Sequence, residues 1–457
     1  MSLADDLRNL LGGDVVADDA QSRADNSGDK WFAHHEPDVV VFAQTTEQIS
    51  ALLKFANERK IPVTARGAGF GYVGGCVPEH GGIALSLARM NQIKEISFDD
   101  AIAIVQPGVI TGQLQAKTRE RKLFYPPDPA SLHDCSIGGN VATNAGGPRC
   151  LKYGVTRHYI IGLEVVLANG DVVRTGGRVH KNKTGFDLIG LFVGSEGMLG
   201  VVTEITVRLL PLPPARATLS VSFASMPEAA ATVQKIFAAG FLPSSLEIAD
   251  HFTLEAARHD SAAGKVPSGN AHLLVDLDGQ IETVQIEMDK LRELVVSRDP
   301  IALEIATNEA DSEKLWALRR EFSNSLRATG LTKLNEDVVV PRSRLVHLIE
   351  FAEALSQKSG FPIACFGHAG DGNIHVNIMA DRYNRDAAVR QKVEAALDEL
   401  FARVLAWGGV ITGEHGIGLA KKRWWRRATS DVSRELHRTL KRAVDPNNIL
   451  NPGKFLD

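Results

Sequence analysis

The stretch Arg66-Gly67-Ala68-Gly69-Phe70-Gly71-Tyr72-Val73-Gly74-Gly75 constrains the fold more than any other part of this chain. It follows Ile61-Pro62-Val63-Thr64, a short β-branched segment that reads as a strand. Gly69, Gly71 and Gly74 satisfy G-x-G-x-x-G, a spacing that must open a helix if it marks a Rossmann unit. The chain instead continues Cys76-Val77-Pro78-Glu79-His80-Gly81-Gly82, which cannot be a helix. That context excludes the Rossmann reading and leaves a loop whose successive backbone N–H groups can cradle phosphate, with Arg66 as a nearby cation. A surface turn needs only one or two glycines, and this loop has five.

A βαβ pattern leads into the loop. Val39-Val40-Val41-Phe42 reads as a buried strand, and Thr46 is expected to cap a helix to about Lys60, with Ile49, Leu52, Leu53 and Ala56 inward. Residues 126–150 are rich in Gly, Pro, Asn and Ser, and within them Ser136-Ile137-Gly138-Gly139-Asn140-Val141-Ala142-Thr143-Asn144-Ala145-Gly146-Gly147-Pro148 reads as a second glycine-rich loop. A third, Gly194-Ser195-Glu196-Gly197-Met198-Leu199-Gly200, precedes the strand Val201–Ile205. Pro211-Leu212-Pro213-Pro214 cannot continue a strand or helix, which places a domain boundary there. Beyond it, helices are expected at about 226–239, 281–297, 310–328, 343–358 and 384–407. Strands are expected at about 217–223, 271–277, 301–305, 334–340, 361–366 and 373–379. This alternation predicts an α+β domain.

These motifs, in this order over about residues 35–213, resemble the FAD-binding domain of the vanillyl-alcohol oxidase / p-cresol methylhydroxylase superfamily. The resemblance implies a two-subdomain domain of the p-cresol methylhydroxylase type, with Arg66, Gly67, Ala68, Gly69, Phe70 and Gly71 holding the pyrophosphate. It implies that Pro127, Asp128, Ser131, Gly138, Gly139, Asn140, Thr143 and Gly147 line the flavin, and that Glu196, Gly200 and Ile205 lie on its adenosine side. Phe70 stands where the family more often has Thr. No His lies within residues 62–75, so FAD is expected to be bound non-covalently.

In the second half, His368 and His375 flank a glycine turn in Gly367-His368-Ala369-Gly370-Asp371-Gly372-Asn373-Ile374-His375-Val376-Asn377, and Glu414 follows in Gly413-Glu414-His415-Gly416-Ile417-Gly418. Two imidazoles and one carboxylate suit zinc, manganese or iron with positions left for substrate, although ordinary loop histidines are the alternative on the residues alone. The region 215–457 resembles the C-terminal domain of FAD-linked oxidases, the group of D-lactate dehydrogenases, glycolate oxidase subunits and D-2-hydroxyglutarate dehydrogenases. The resemblance implies that His368, His375 and Glu414 are metal ligands, that Asn377 and His415 face substrate, and that Arg319 in Trp316-Ala317-Leu318-Arg319 holds the substrate carboxylate. Ser323 and Lys333 match a hydroxyl residue and a substrate-contacting lysine; Asn451 and Lys454, in a tail resembling the family's C-terminus, fall on the cofactor side.

The expected activity is oxidation of a small D-2-hydroxy acid, lactate-like, to the 2-oxo acid. The metal lowers the hydroxyl pKa, His415 takes its proton, and the Cα hydride passes to flavin N5. Glycolate and D-2-hydroxyglutarate are alternative substrates, and a non-catalytic electron-relaying flavoprotein subunit is the rival class. The expected domains are an N-terminal helix or tail (1–34), a FAD-binding domain (35–213), a substrate and metal domain with an antiparallel sheet and C-terminal helices (214–430), and a segment returning to the FAD domain (431–457).

The formal net charge of −4 gives no basic excess for nucleic acid, and no apolar run approaches the ~20 residues that span a bilayer. The four cysteines are scattered, which disfavours an internal iron–sulfur cluster and sends electrons to a partner: a quinone, a cytochrome or an electron-transferring flavoprotein. The acidic N-terminus lacks a signal pattern, so the expected location is cytoplasmic, with contact at the inner membrane face and a homodimer both open. The run Lys421-Lys422-Arg423-Trp424-Trp425-Arg426-Arg427 reads either as a docking surface or as a solvated helix face with its aromatics turned inward.

Overall fold

The computed structural model describes residues 2–456. The chain divides into two compact units. The first comprises the chain up to Gly146, Val155–Leu212 and the chain from Glu414 onward; the second comprises Gly147–Gly154 and Pro213–Gly413.

The first unit carries two main sheets. In one, Val39–Phe42, Ile83–Ser86 and Val63–Arg66 run parallel, and Val16–Ala17 adds an antiparallel edge. The helix Thr46–Arg59 packs Ile49, Leu52, Leu53 and Ala56 into the same core, as their spacing requires. Its cap is Thr45, not Thr46: the Thr45 hydroxyl accepts the Gln48 N–H, while Thr46 donates to the Glu164 carboxylate at 2.7 Å. The other sheet is antiparallel, in the order Ile93–Ser97, Ile102–Val105, Val201–Arg208, Ile160–Val166, Val172–Gly176. The C-terminal Ile449–Asn451 lies along Val63, with Val63 N–H donating to Ile449 O at 2.7 Å and Asn451 N–H to Val63 O at 2.8 Å.

Two expectations need correction here. The segment 136–148 is not one loop: Ile137–Thr143 is a helix, capped by Ser136, and Cys150–Tyr153 just beyond is another short one. Pro211 also does belong to a strand. Leu210–Pro211 pairs with Leu123–Phe124 before the chain leaves the first unit, and Pro211 is tolerated because it is the last residue of that strand.

The second unit is built on a seven-stranded antiparallel sheet in the order Ala302–Ala306, Ala215–Phe223, Ala271–Gly279, Ser245–Ala249, Ile363–His368, Asn373–Ala380, Thr332–Val339. Register and pleat sort its side chains into two unlike faces. One face carries Leu219, Val221, Leu273, Val275, Leu246, Ile248, Val376 and Ile378. The other carries Thr218, Ser220, His272, Asp276, Glu247, His368, His375, Asn377 and Lys333. The helix Glu309–Ala328 covers the polar face, its Trp316 N–H donating to Asp276 at 3.0 Å. With His251–Arg258 it also buries Leu318, Phe322 and Leu326 against Ala364, Phe366 and Met379. The strand Ser245–Ala249 and the helix His251–Arg258 were not foreseen from sequence.

Candidate functional site

In the first unit the three glycine-rich segments are knitted together. A Cβ on Gly67 would stand 2.5 Å from the Ser136 hydroxyl, so the missing side chain lets the first loop lie this close to the second. Glu196 N–H donates to Ala142 O at 2.8 Å, joining the third segment to the second. The Asn451 side-chain amide donates to Gly75 O at 2.9 Å and Glu196 O at 2.7 Å, closing the third onto the first. The N-terminal tail braces this cradle: Lys30 N–H donates to Gly71 O at 2.9 Å, Gly75 N–H donates to the Asp29 carboxylate at 3.2 Å, and the Lys30 ammonium sits 4.4 Å over the Phe70 ring. Arg66 donates to Gly28 O and lies 3.2 Å from the Cys76 sulfur.

Several expected cofactor residues hold the cradle rather than presenting a side chain. The Asn140 amide donates to the Thr111 hydroxyl at 2.6 Å, and Thr143 donates to Gly139 O at 3.2 Å. Gly138 packs on Pro107, Gly200 packs on Val165, and Ile205 is fully buried in its strand. Pro127 O accepts from the Gln115 amide at 2.7 Å, Asp128 is buried, and Ser131 O accepts from Cys135 N–H at 2.8 Å. Gly147 stands at the start of the second unit. The buried Lys454 ammonium donates to Val77 O at 2.7 Å. Burial pushes the Cys135 thiol up.

Glu196 plays a part that sequence reading missed. Its buried carboxylate accepts both Ile417 N–H and Gly418 N–H at 2.8 Å, and so anchors the turn that carries His415. Burial raises its pKa, and the backbone donors and the charges of Lys454 and Lys421 only partly offset this. The His415 ring lies 5.2 Å from Tyr72, centroid to centroid, and its Nε2 is 3.8 Å from the Glu414 carboxylate. In the nearby helix Lys422–Ala428, Trp424 and Trp425 are buried, so the aromatics of the basic run do face inward.

In the second unit His368 ends one strand and His375 rises from the next, joined by the turn at Gly372, where a Cβ would collide with Val340 O. Both histidines are buried, with ring centroids 5.5 Å apart. Gly413 N–H donates to the Asp337 carboxylate at 2.9 Å, which fixes the chain one residue before Glu414. One ligand atom each from His368, His375 and Glu414 lies within 4.8 Å of the other two. Two imidazole nitrogens and a carboxylate oxygen, partly to fully buried and this close, fit a divalent cation.

Around this pair the polar face is crowded with charge. Asn377 is fully buried and gives its N–H groups to Ala364 O at 3.1 Å and His375 O at 3.0 Å, leaving its Oδ1 to accept. Arg319 is committed on one edge to Glu247, from Nε at 2.7 Å and Nη2 at 2.6 Å. The Lys333 ammonium donates to the Ser323 hydroxyl at 2.6 Å. Burial, with the charges of Arg327 and Arg319, pulls the Lys333 pKa down to about 7. Glu247 is the principal residue that sequence reading missed here. Burial penalises its charge, but the adjacent Arg319 charge and the hydrogen bonds from His368 and Arg319 win and hold its pKa below the usual carboxylate range. A readable signal was present in Ser245-Leu246-Glu247-Ile248-Ala249: alternating apolar residues in a segment too short to stand out.

The paired sheets and knitted loops of the first unit define a flavoprotein of the FAD-binding type, and residues 37–176 match the family described as "FAD binding domain". Residues 212–455, more than half of the chain, match "FAD linked oxidases, C-terminal domain". The protein belongs to this FAD-linked oxidase family and is an oxidoreductase. It is 41% identical over 419 residues to glycolate oxidase subunit GlcD of Bacillus subtilis (strain 168), covering 92% of this chain and 89% of that protein. It is 34% identical over 432 residues to D-lactate dehydrogenase of Anaerostipes hadrus, covering 93% and 90%. Among solved structures, p-cresol methylhydroxylase with substrate bound superposes with a TM-score of 0.80 at 22% identity, covering 99% of this chain and 96% of that one. The fold expected from the sequence, a p-cresol methylhydroxylase-type FAD domain followed by an α+β domain with an antiparallel sheet, is the fold found. Among the described residues, no helix is long and apolar enough to cross a membrane.

Proposed function

We propose that this protein is a dehydrogenase that oxidises a small D-2-hydroxy acid, lactate-like, to the corresponding 2-oxo acid. The observation that carries this reading is the convergence of His368, His375 and Glu414 on one small volume. It is supported by Lys333 on the same sheet face as the two histidines and by Arg319 on the helix that covers that face. When bound, FAD would accept the two electrons, and a zinc, manganese or iron ion held by the three side chains would supply Lewis acidity.

The oxidation removes a proton from the hydroxyl and a hydride from Cα. The proton is assigned to His415, an imidazole suited to general-base work near neutral pH. The carboxylate is assigned to the outer edge of the Arg319 guanidinium, since its inner edge belongs to Glu247. Lys333, poised near neutrality, adds a second charge whose presence depends on pH, and Ser323 holds it in place. Asn377 offers an acceptor for a substrate hydroxyl. Residues 35–213 form the cofactor part and 214–430 the substrate part of this scheme, with 431–457 assigned to the cofactor part.

Glycolate is the second reading, favoured by the similarity to glycolate oxidase subunit GlcD. That relative is a subunit, which also supports a partner that takes the electrons onward. Anaerobic mixing with D-lactate, L-lactate, glycolate and D-2-hydroxyglutarate tests the proposal. Flavin bleaching should be fastest with D-lactate. Bleaching confined to glycolate would select the second reading, and a flavin that bleaches with none of the four would sink both.

A further inference from the structure

We propose that Glu247 is a positioning residue that orients the metal ligand His368 with one carboxylate oxygen while fixing Arg319 with the other. This inference rests on the metal reading of the His368, His375 and Glu414 cluster. The antiparallel register places Glu247 directly opposite His368, so the two side chains leave the same face of the sheet side by side. His368 Nδ1 lies 2.7 Å from Glu247 Oε1. A carboxylate can only accept there, so Nδ1 carries the proton and Nε2 keeps its lone pair for a cation. Glu247 Oε2 accepts from Arg319 Nε at 2.7 Å and Nη2 at 2.6 Å.

Each oxygen therefore has its own partner, and the side chain is only 1% exposed, so water cannot replace either bond. Two parts of the proposed chemistry, a cation ligand and a carboxylate clamp, share one anchor. Turning the carboxylate to suit one partner would break the bond to the other. The spacing between cation and clamp is thus set by a rigid strand rather than by two independent flexible side chains.

A merely structural ion pair would make a different prediction. Removing it would lower the melting temperature and leave metal affinity of the folded protein unchanged. The test uses the full-length, FAD-loaded protein stripped of metal and titrated calorimetrically with Zn2+ and Mn2+. Glu247→Gln removes the charge at constant shape, and Glu247→Asp shortens the reach to both partners. Metal binding should weaken by roughly 10–100-fold in either variant, the loss expected when the partner behind a ligating histidine is changed. The KM for the hydroxy acid should rise as well, because Arg319 loses its support. Folded variants that bind metal within about twofold of the unaltered protein would overturn the proposal.

Nitrogen-15 spectroscopy of histidine-labelled, metal-free protein supplies a readout that needs no change at Glu247. His368 should carry its proton on Nδ1; a proton on Nε2 would overturn the proposal even if both variants fail to fold. A protein that binds neither cation at all would remove the metal reading itself, a result distinct from one in which only the Glu247 variants behave like the parent.

Discussion

Each unit of this protein holds a buried glutamate in its candidate site, and the two have their pKa values shifted in opposite directions. Glu196, in the cofactor unit, accepts two backbone N–H groups; burial dominates and raises its pKa. Glu247, in the second unit, is buried at least as deeply, but the Arg319 charge and the hydrogen bonds from His368 and Arg319 outweigh burial and hold its pKa below the usual carboxylate range. The difference reflects how the two sites are made. The cofactor unit is built from backbone: glycine loops, turns and neutral donors able to surround a large cofactor. The second unit is built from side chains of opposite charge on one face of a sheet, an arrangement suited to a small anion and a cation.

If that contrast is right, the two halves fail in different ways. The largest effect is expected for His415→Ala, which should slow flavin reduction by about 10²–10⁴-fold while the flavin stays bound. Stopped-flow absorbance reads the rate and the visible spectrum reads the flavin; rapid reduction in this variant would remove His415 from its role. Metal removal should act similarly on turnover. Unchanged activity in verified metal-free protein would reject the cation while sparing the cofactor unit.

A change in the cradle should do the reverse. Gly67→Ala places a methyl against Ser136, the residue that caps the helix Ile137–Thr143. Overpacking of about 1–3 kcal/mol corresponds to roughly 5–150-fold weaker FAD binding. Flavin content after dialysis measures it, and metal affinity should be untouched. Glu196→Ala leaves the Ile417 and Gly418 N–H groups without their acceptor, a cost of about 1–3 kcal/mol in thermal unfolding. An unaltered melting curve would deny Glu196 its anchoring role.

The smallest effect concerns pH. Lys333 has a folded pKa of about 7, below the ~10.4 of an unfolded lysine. The folded state therefore binds fewer protons between these values, and the cost of charging Lys333 is present below pH 7 and fades as pH rises toward ~10. Stability should gain with pH across that window relative to Lys333→Met, while the KM for a carboxylate substrate should climb above pH ~7 as the charge is lost. Identical pH profiles in the two proteins would remove Lys333 from both accounts.

The contrast also explains which parts of the molecule could be read in advance. The cradle and the two histidine-bearing motifs are local in sequence. Loop glycines, the Gly372 turn and the helix 46–59 were legible because each is dictated by neighbours within a few residues. Small errors arose where adjacent candidates compete. Thr45 and Thr46 can both cap a helix, and only the hydrogen bond from Thr46 to Glu164, 118 positions away, frees Thr45 for the task. The segment 137–143 looked irregular because its glycines weaken helix propensity, yet Ser136 and packing on Pro107 fold it into a helix.

The sequence by itself determined that this chain carries glycine-rich loops outside a Rossmann unit, an α+β second half and a set of metal-capable side chains. Only the tertiary structure decided that Ser245–Ala249 inserts between Ala271–Gly279 and Ile363–His368, which puts Glu247 beside a histidine 121 residues later. It likewise decided that Glu196 holds a turn 221 residues away. Glycine and histidine motifs announce themselves because their chemistry is local. A buried glutamate acquires its meaning from charges that only the order of strands brings to it.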